Sequence, residues 1–100
     1  MRDKLHTDKQ LLDSNWILNK IQGESRYQVV KWGIQTHDLF EWLTYTAEEL
    51  GELAKEISEY LYRFGDEGKI EREAIQLATL AIKIAEMCDP FVGEVAKENH

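Results

Sequence analysis

Cysteine, proline and long apolar runs are all scarce in this chain of 100 residues. The single cysteine, Cys88, cannot form an internal disulfide, and no apolar run reaches the length of a membrane span or a signal-peptide core. Proline occurs once, at Pro90, and there are only six glycines, so little in the sequence interrupts helices. These absences predict a cytoplasmic, all-α protein that does not bind membranes.

Positive charge is also in short supply. Twelve Lys and Arg residues stand against nineteen Asp and Glu residues, which gives a formal net charge of −7. A protein that binds nucleic acid needs a basic surface to displace counterions from the phosphate backbone. The charge balance therefore argues against nucleic-acid binding, and a ligand that carries phosphates would need a metal ion as a bridge.

The chain is long enough for one domain with a modest core, which we place at residues 1–100. Three pairs have the spacing of a capping box: Thr7 with Gln10, Ser25 with Gln28, and Asp38 with Glu41. The pattern predicts helices over 7–21, 25–35, 38–64 and 69–87, with breaks at Gly23, 65–68 and 89–90. We expect an antiparallel bundle of about four helices, completed by oligomerisation, with 1–6 and 92–100 flexible or loosely packed.

The third predicted helix carries an apolar stripe along its whole length. Its members follow one another in alternating steps of four and three: Leu39, Leu43, Thr46, Leu50, Leu53, Ile57, Tyr60 and Phe64. Glu49 and Glu52 lie along one edge of this stripe, and Glu48 lies beside Glu52. Like charges at this spacing repel one another and Lys55 is the only cation near them, so we expect a divalent cation to compensate the repulsion.

The last predicted helix has an acidic residue within an apolar face. Glu73 lies in the middle of a face formed by Ile70, Leu77, Leu80, Ile84 and Met87. An ionised carboxylate at such a position is strongly unfavourable unless it is paired or bound to a metal. The short turn before this helix makes the two helices antiparallel, although a simple hairpin would leave Glu52 and Glu73 offset by about 12 Å.

These acids and the neighbouring Gln76 supply oxygen ligands, with no Cys or His at ligand spacing, which suits Mg²⁺ or Mn²⁺ better than zinc. Simpler interpretations remain open. Glu49 and Glu52 could belong to an ordinary solvated helix face, and Glu73 could pair with a nearby Lys or Arg. Gln76 could be a hydrogen-bond partner of Glu73 rather than a ligand.

Four segments together resemble the MazG-like all-α nucleoside triphosphate pyrophosphohydrolases: residues 31–37, 42–43, 48–53 and 73–78. That family is marked by Glu-Glu-x-x-Glu on one helix and Glu-x-x-Asp on the next, and the similarity covers residues 26 to 88. The resemblance implies that Glu49, Glu52 and Glu73 bind Mg²⁺ and that Glu48 or a neighbour polarises water. Gln76 stands where the family has Asp, and an amide oxygen can coordinate Mg²⁺ but brings no charge.

The resemblance further implies hydrolysis of a nucleoside triphosphate to a monophosphate and pyrophosphate. The expected substrate contacts are Lys31, Trp32, His37 and Lys55. The alternative function is a catalytically weakened or inactive helical oligomer that binds a nucleotide or a partner. A second apolar face on the last helix, formed by Ile75, Ala78, Ile82 and Ala85, predicts a homodimer or homotetramer.

Overall fold

The computed structural model describes residues 15–88, and all of their regular secondary structure is helical. Helix α1 spans Asn15–Trp32, α2 spans Leu39–Arg63 and α3 spans Glu67–Met87. The all-α class is therefore confirmed. The described residues form three helices rather than about four, and the oligomer stays a prediction. The predicted helix start at Thr7, the stop at residues 89–90 and both terminal segments lie outside the described residues. Within residues 15–88, no helix is long and apolar enough to cross a membrane.

The first two predicted helices are in fact one helix. α1 continues through Gly23 and Ser25, where the sequence pattern predicted a break. A glycine inside a helix costs about 1 kcal/mol relative to alanine, and the packing of α1 against α3 outweighs this cost. The helix ends instead at Trp32, where Gly33 adopts a left-handed backbone with φ of 76°. The Gly33 N–H donates to the carbonyl of Val29 at 2.7 Å, which closes the last turn.

α2 begins where the sequence predicts. The Asp38 side chain accepts a hydrogen bond from the Glu41 N–H at 2.8 Å, and the Glu41 carboxylate accepts one from the Asp38 N–H at 3.1 Å. This reciprocal pair is a complete capping box. At the other end the predicted left-handed residue is wrong by one position, because Phe64 takes that conformation with φ of 59°. Gly65 is required for a close approach, since an added Cβ would lie 2.8 Å from the Tyr60 nitrogen.

The connection between α2 and α3 is shorter than predicted. Only residues 64–66 separate the two helices, and Asp66 caps α3 by accepting a hydrogen bond from the Gly68 N–H at 2.8 Å. α3 therefore begins at Glu67 rather than near Lys69. The predicted offset of about 12 Å between the acids was measured from a longer turn. The hydrogen bond between Glu49 and Glu73 shows that the packing of α2 against α3 nevertheless brings these two acids together.

α3 is the central element, and both other helices pack against it. Contacts between Gln76 and Glu49 and between Tyr60 and Glu67 show that α2 runs antiparallel to α3. α1 runs parallel to α3, because Lys20 pairs with Glu71 near the start of α3 and Gln28 contacts Lys83 near its end. The backbones of α1 and α2 do not approach each other closely. Among residues 15–88, α2 is therefore covered by a neighbouring helix on one side only.

The core of the described region is thin. Trp42, Thr79 and Leu80 are its buried residues, and the Thr79 hydroxyl is satisfied by the carbonyl of Ile75 at 2.8 Å. The predicted apolar stripe of α2 is packed only in part: three of its leucines remain more than half exposed, namely Leu39, Leu43 and Leu50. They are exposed because the one helix that packs against α2 covers its other side.

Candidate functional site

Carboxylates from all three helices lie close together beside the middle of α3. Glu49 on α2 shares a side-chain hydrogen bond with Glu73 on α3. The charges of Glu52 on α2 and Glu24 on α1 also act on the Glu49 carboxylate. We call these four residues the acidic cluster. The antiparallel packing of α2 on α3 brings together Glu49, Glu52 and Glu73, which are the three acids that the sequence predicted as metal ligands.

The acidic cluster raises the pKa of Glu49 from 4.5 to about 7. Burial of the carboxylate is the largest cause, followed by the hydrogen bond with Glu73 and by the negative charges of Glu73, Glu52 and Glu24. With a pKa of about 7, Glu49 is partly protonated at neutral pH, and the protonated form can donate a hydrogen bond to Glu73. Like charges held this close have affinity for any positive charge that can replace the proton.

Gln76 bridges the two central carboxylates. With its amide nitrogen turned toward them, Gln76 donates to Glu49 at 3.1 Å and to Glu73 at 3.0 Å. It can do so because it follows Glu73 by three residues and lies on the same face of α3. The amide thus offsets part of the negative charge. Coordination of a metal by Gln76 would require the opposite orientation, with the amide oxygen directed toward the ion.

The donor atoms of the acidic cluster are of the type that binds a hard metal ion, but the side chains are not arranged around a common point. Within residues 15–88, no three or more His, Cys, Asp or Glu side chains are arranged to hold an ion. The donors are carboxylate oxygens, with an amide oxygen in reach, and this set suits a hard cation such as Mg²⁺. Binding would require loss of the proton on Glu49, rotation of the exposed Glu52 side chain and a flip of the Gln76 amide.

A cavity of about 340 Å³ adjoins the acidic cluster. The end of α1, the following loop, the start of α2 and the end of α3 form its walls. Gln28 connects the two regions: its Nε2 donates to Glu24 at 3.1 Å, and its Oε1 accepts from Lys83 Nζ at 2.8 Å. One glutamine therefore holds an acid of the cluster and a lysine of the cavity in a common arrangement.

Lys83 is the lysine of this cavity. It is half-buried, and its ammonium lies 5.8 Å from the centre of the Trp42 ring. Its hydrogen-bond partner is the neutral Gln28, and it forms no ion pair with any of residues 15–88. The cavity is thus lined by the Lys83 ammonium beside the Trp42 ring and also by one acid, Glu86.

His37 connects the loop that forms one wall of the cavity to the first turns of α2. Its Nδ1 lies 3.3 Å from the Glu41 carboxylate, and its Nε2 lies 3.3 Å from the Gln35 side-chain oxygen. The imidazole also packs edge-to-face against Trp42 and Tyr45, with ring centres 5.1 Å apart in both cases. The sequence predicted His37 as a substrate contact. The structure places it in the cavity wall with both nitrogens engaged, so it orders the loop.

The remaining predicted residues lie away from the acidic cluster. Lys31 packs over the rings of Tyr27 at 5.7 Å and Trp32 at 4.6 Å, on the exposed surface of α1. Lys55 and Glu48 are exposed on α2 and make no hydrogen bond or ion pair with the part of the chain that the structure describes. The fold therefore brings none of Lys31, Trp32, Lys55 and Glu48 into contact with the acidic cluster.

Three residues at the site were missed from the sequence, namely Glu24, Gln28 and Lys83. The first two were assigned to different segments, because Gly23 was interpreted as a helix stop and Ser25 as a new N-cap. In a continuous helix they are four residues apart and lie on one face, which is a signal that the sequence contains. Lys83 follows Gln76 by seven residues, so it also lies on the same face of α3.

Comparison with known proteins identifies no relative of this chain. No family model matches it, and neither a curated protein nor a solved structure is similar to it. Its function is therefore argued from the acidic cluster, the adjoining cavity and the sequence motifs.

Proposed function

We propose that this protein is a Mg²⁺-dependent nucleoside triphosphate pyrophosphohydrolase, with Mn²⁺ as a possible substitute. The reaction converts an NTP or dNTP to the monophosphate and pyrophosphate. One observation carries the proposal: Glu49 and Glu73, which motif spacing alone selects as metal ligands, share a hydrogen bond across two facing helices. Carboxylates that repel one another and hold a proton at neutral pH are suited to exchange it for a divalent cation.

In the proposed reaction, different residues at the acidic cluster would bind the metal ion and activate water. Glu49, Glu52 and Glu73 would hold Mg²⁺ through carboxylate oxygens, and Gln76 would add an amide oxygen. Bound Mg²⁺ neutralises phosphate charge and orients the triphosphate. The MazG-like motif assigns polarisation of water to Glu48, which is exposed on α2 and does not contact the cluster, or to a neighbour. Water attacks a phosphorus of the α–β bridge, the bridging P–O bond breaks, and the proton of water passes to a carboxylate.

The active form that we propose is a homodimer or homotetramer in the cytoplasm. Support for assembly comes from α2, where Leu39, Leu43 and Leu50 are 53%, 55% and 56% exposed. Large exposed apolar patches mark interaction surfaces. Because each chain carries a net charge of −7, an uncharged stripe is the part of its surface best able to face a second copy without repulsion.

The enzyme proposal is tested by pyrophosphate release from a panel of NTPs and dNTPs with Mg²⁺, with Mn²⁺ and with EDTA. We expect metal-dependent release by the wild type, and loss of release in Glu49→Gln. Glu59→Gln is the matched control, because it removes the same charge from the same helix outside the acidic cluster. No turnover of any nucleotide with either metal would refute the enzyme.

The second candidate is a weakened or inactive relative of such enzymes that binds a nucleotide or a partner without hydrolysis. Gln76 favours it, because its amide already donates to both Glu49 and Glu73. The variant Gln76→Asp separates the two functions, since it places a charged ligand where the neutral amide now lies. Stronger Mg²⁺ binding together with faster pyrophosphate release would indicate a weakened enzyme. Unchanged behaviour would favour the binding module.

A further inference from the structure

The cavity beside the acidic cluster lies at a defined distance from it. Lys83 follows Gln76 by seven residues on α3, which places the two Cα atoms about 10 Å apart along the helix axis. The Trp42 ring lies 5.8 Å from the Lys83 ammonium, and both line the cavity together with residues 33–37. Along α3 the carboxylates therefore come first, and the ammonium with the cavity wall follows.

Within residues 15–88 the Lys83 ammonium forms no ion pair, although the Glu86 side chain lines the same cavity. A half-buried cation is unfavourable unless an opposite charge or hydrogen bonds compensate it. Gln28 accepts one of its three N–H donors, and the other two have no acceptor within residues 15–88. A lysine in this state is suited to bind an anionic group, and lysine is a common ligand of phosphate.

The walls of the cavity suit the other part of a nucleotide. Val29, Ile34 and Met87 supply aliphatic surface, and the largely buried Trp42 adds a small aromatic surface. Ser25 and Glu86 are among the polar groups at the wall. A volume of about 340 Å³ is within the range of sites for small ligands. The combination of an aromatic wall with one ammonium matches a ligand that has a planar ring and a single phosphate.

We propose that this cavity binds the nucleoside monophosphate half of the substrate, with Lys83 on the α-phosphate and the base against the wall that contains Trp42. The proposal rests on the proposed function for the identity of the ligand. The β- and γ-phosphates then extend toward the acidic cluster, where the metal is required. The monophosphate half needs no metal, so the product should bind to Lys83 in its absence.

Isothermal titration calorimetry with the full chain in EDTA tests whether the cavity binds a nucleoside monophosphate without metal. The titrants are a nucleoside monophosphate, the matching nucleoside and inorganic phosphate. We expect the monophosphate to bind about tenfold or more tightly than the nucleoside, because an ionic hydrogen bond is worth at least 1.4 kcal/mol. Inorganic phosphate should bind more weakly than the monophosphate, since it has no ring to contact Trp42.

Variants assign the effect to Lys83. Lys83→Met should abolish the difference between monophosphate and nucleoside, and Lys83→Arg, which keeps the charge, should retain it. Lys69→Met, which removes an exposed lysine near the start of α3, is the control for a lysine removed elsewhere. Circular dichroism establishes that each variant is folded. If Lys83→Met is not folded, Lys83→Arg still tests the proposal.

The outcomes separate this proposal from the enzyme proposal. Failure of the monophosphate to bind, equal binding of monophosphate and nucleoside, or a difference that survives in Lys83→Met overturns the cavity assignment, whatever the pyrophosphate assay shows. Binding that depends on Lys83 in a protein that releases no pyrophosphate supports the cavity and refutes the enzyme.

Discussion

The two sides of α2 differ in a way that reverses the usual distribution of residues. The side that packs against α3 contains the buried Trp42, but also the half-buried Glu49 with its raised pKa. On the other side Leu39, Leu43 and Leu50 are exposed to solvent. In an isolated domain, carboxylates are expected outside and leucines inside. α2 places an acid in its packed side and leucines on its open side.

This difference indicates that α2 contributes to two surfaces, a functional site against α3 and an interface for assembly on its exposed side. Acids at a packed interface are unfavourable unless they bind something positive, so the packed side suits a functional site. Leucines on an open side are unfavourable in water, so that side suits assembly. The outer sector also carries no charge over most of the helix: it is formed by Leu39, Leu43, Ala47, Leu50, Gly51, Ala54 and Ile57.

The largest effect is expected from loss of an acid on the α3 side of the site. Glu73→Ala removes the hydrogen-bond partner of Glu49 and a proposed metal ligand. We expect kcat/KM for pyrophosphate release to fall about 10³-fold, because metal stabilisation of the transition state is worth several kcal/mol. The assay is pyrophosphate release at saturating Mg²⁺, with Glu59→Ala as the control. A Glu73→Ala enzyme that retained a tenth of the wild-type activity would exclude this role.

The next effect compares neighbours on opposite sides of α2. Trp42→Ala should reduce the free energy of unfolding by about 3 to 5 kcal/mol, because it leaves a large cavity in a thin core. Leu43→Ala should cost less than about 1 kcal/mol in dilute solution, because that side chain is already exposed in a single chain. Urea unfolding followed by circular dichroism measures both. Equal losses would contradict the difference between the two sides.

A smaller effect is expected on assembly. Leu50→Glu places a charge in the uncharged outer sector and should weaken dimerisation by about 2 kcal/mol, or about thirtyfold in the dissociation constant. Lys55→Glu is the control, because its side chain lies outside this sector. Analytical ultracentrifugation over a range of concentrations measures the constant. A wild-type protein that remained monomeric at micromolar concentration would remove the oligomer from the proposal.

The smallest effect is a dependence of stability on pH. Glu49 has a pKa of about 7 in the folded chain and an ordinary value of 4.5, so the folded state binds more protons between these limits. Its contribution is complete below pH 4.5 and is lost as the pH rises through 7. We expect a loss of about 1 kcal/mol after solvent screening, measured by urea unfolding in EDTA.

A variant and a metal ion isolate the contribution of Glu49 to the pH dependence of stability. Glu49→Gln should have a flatter profile across the same window, since glutamine does not titrate. Mg²⁺ should restore stability at pH 8, because a cation replaces the lost proton. Identical profiles for the wild type and Glu49→Gln would show that Glu49 does not titrate in this range.

Much of the fold was predictable because helix signals are local. The capping box of Asp38 and Glu41 predicts the start of α2, and the acidic motifs correctly selected Glu49 and Glu73 as neighbours across α2 and α3. These signals depend on residues three or four apart, whose relative positions follow from helix geometry alone. The break predicted at Gly23 failed, because a local helix-breaking tendency can be overridden by packing against a distant segment.

By itself, therefore, the sequence determined the all-α class, the capping box of α2 and the acidic motifs, since each depends on side chains within one or two turns of one another. Only the tertiary structure decided that α3 is central, that one side of α2 stays open, and that Glu24 and Gln28 belong with the site. The hydrogen bond between Gln28 and Lys83 joins residues 55 positions apart. Such a contact depends on which helix faces meet, and that is settled by packing of the whole domain rather than by the periodicity of any one helix.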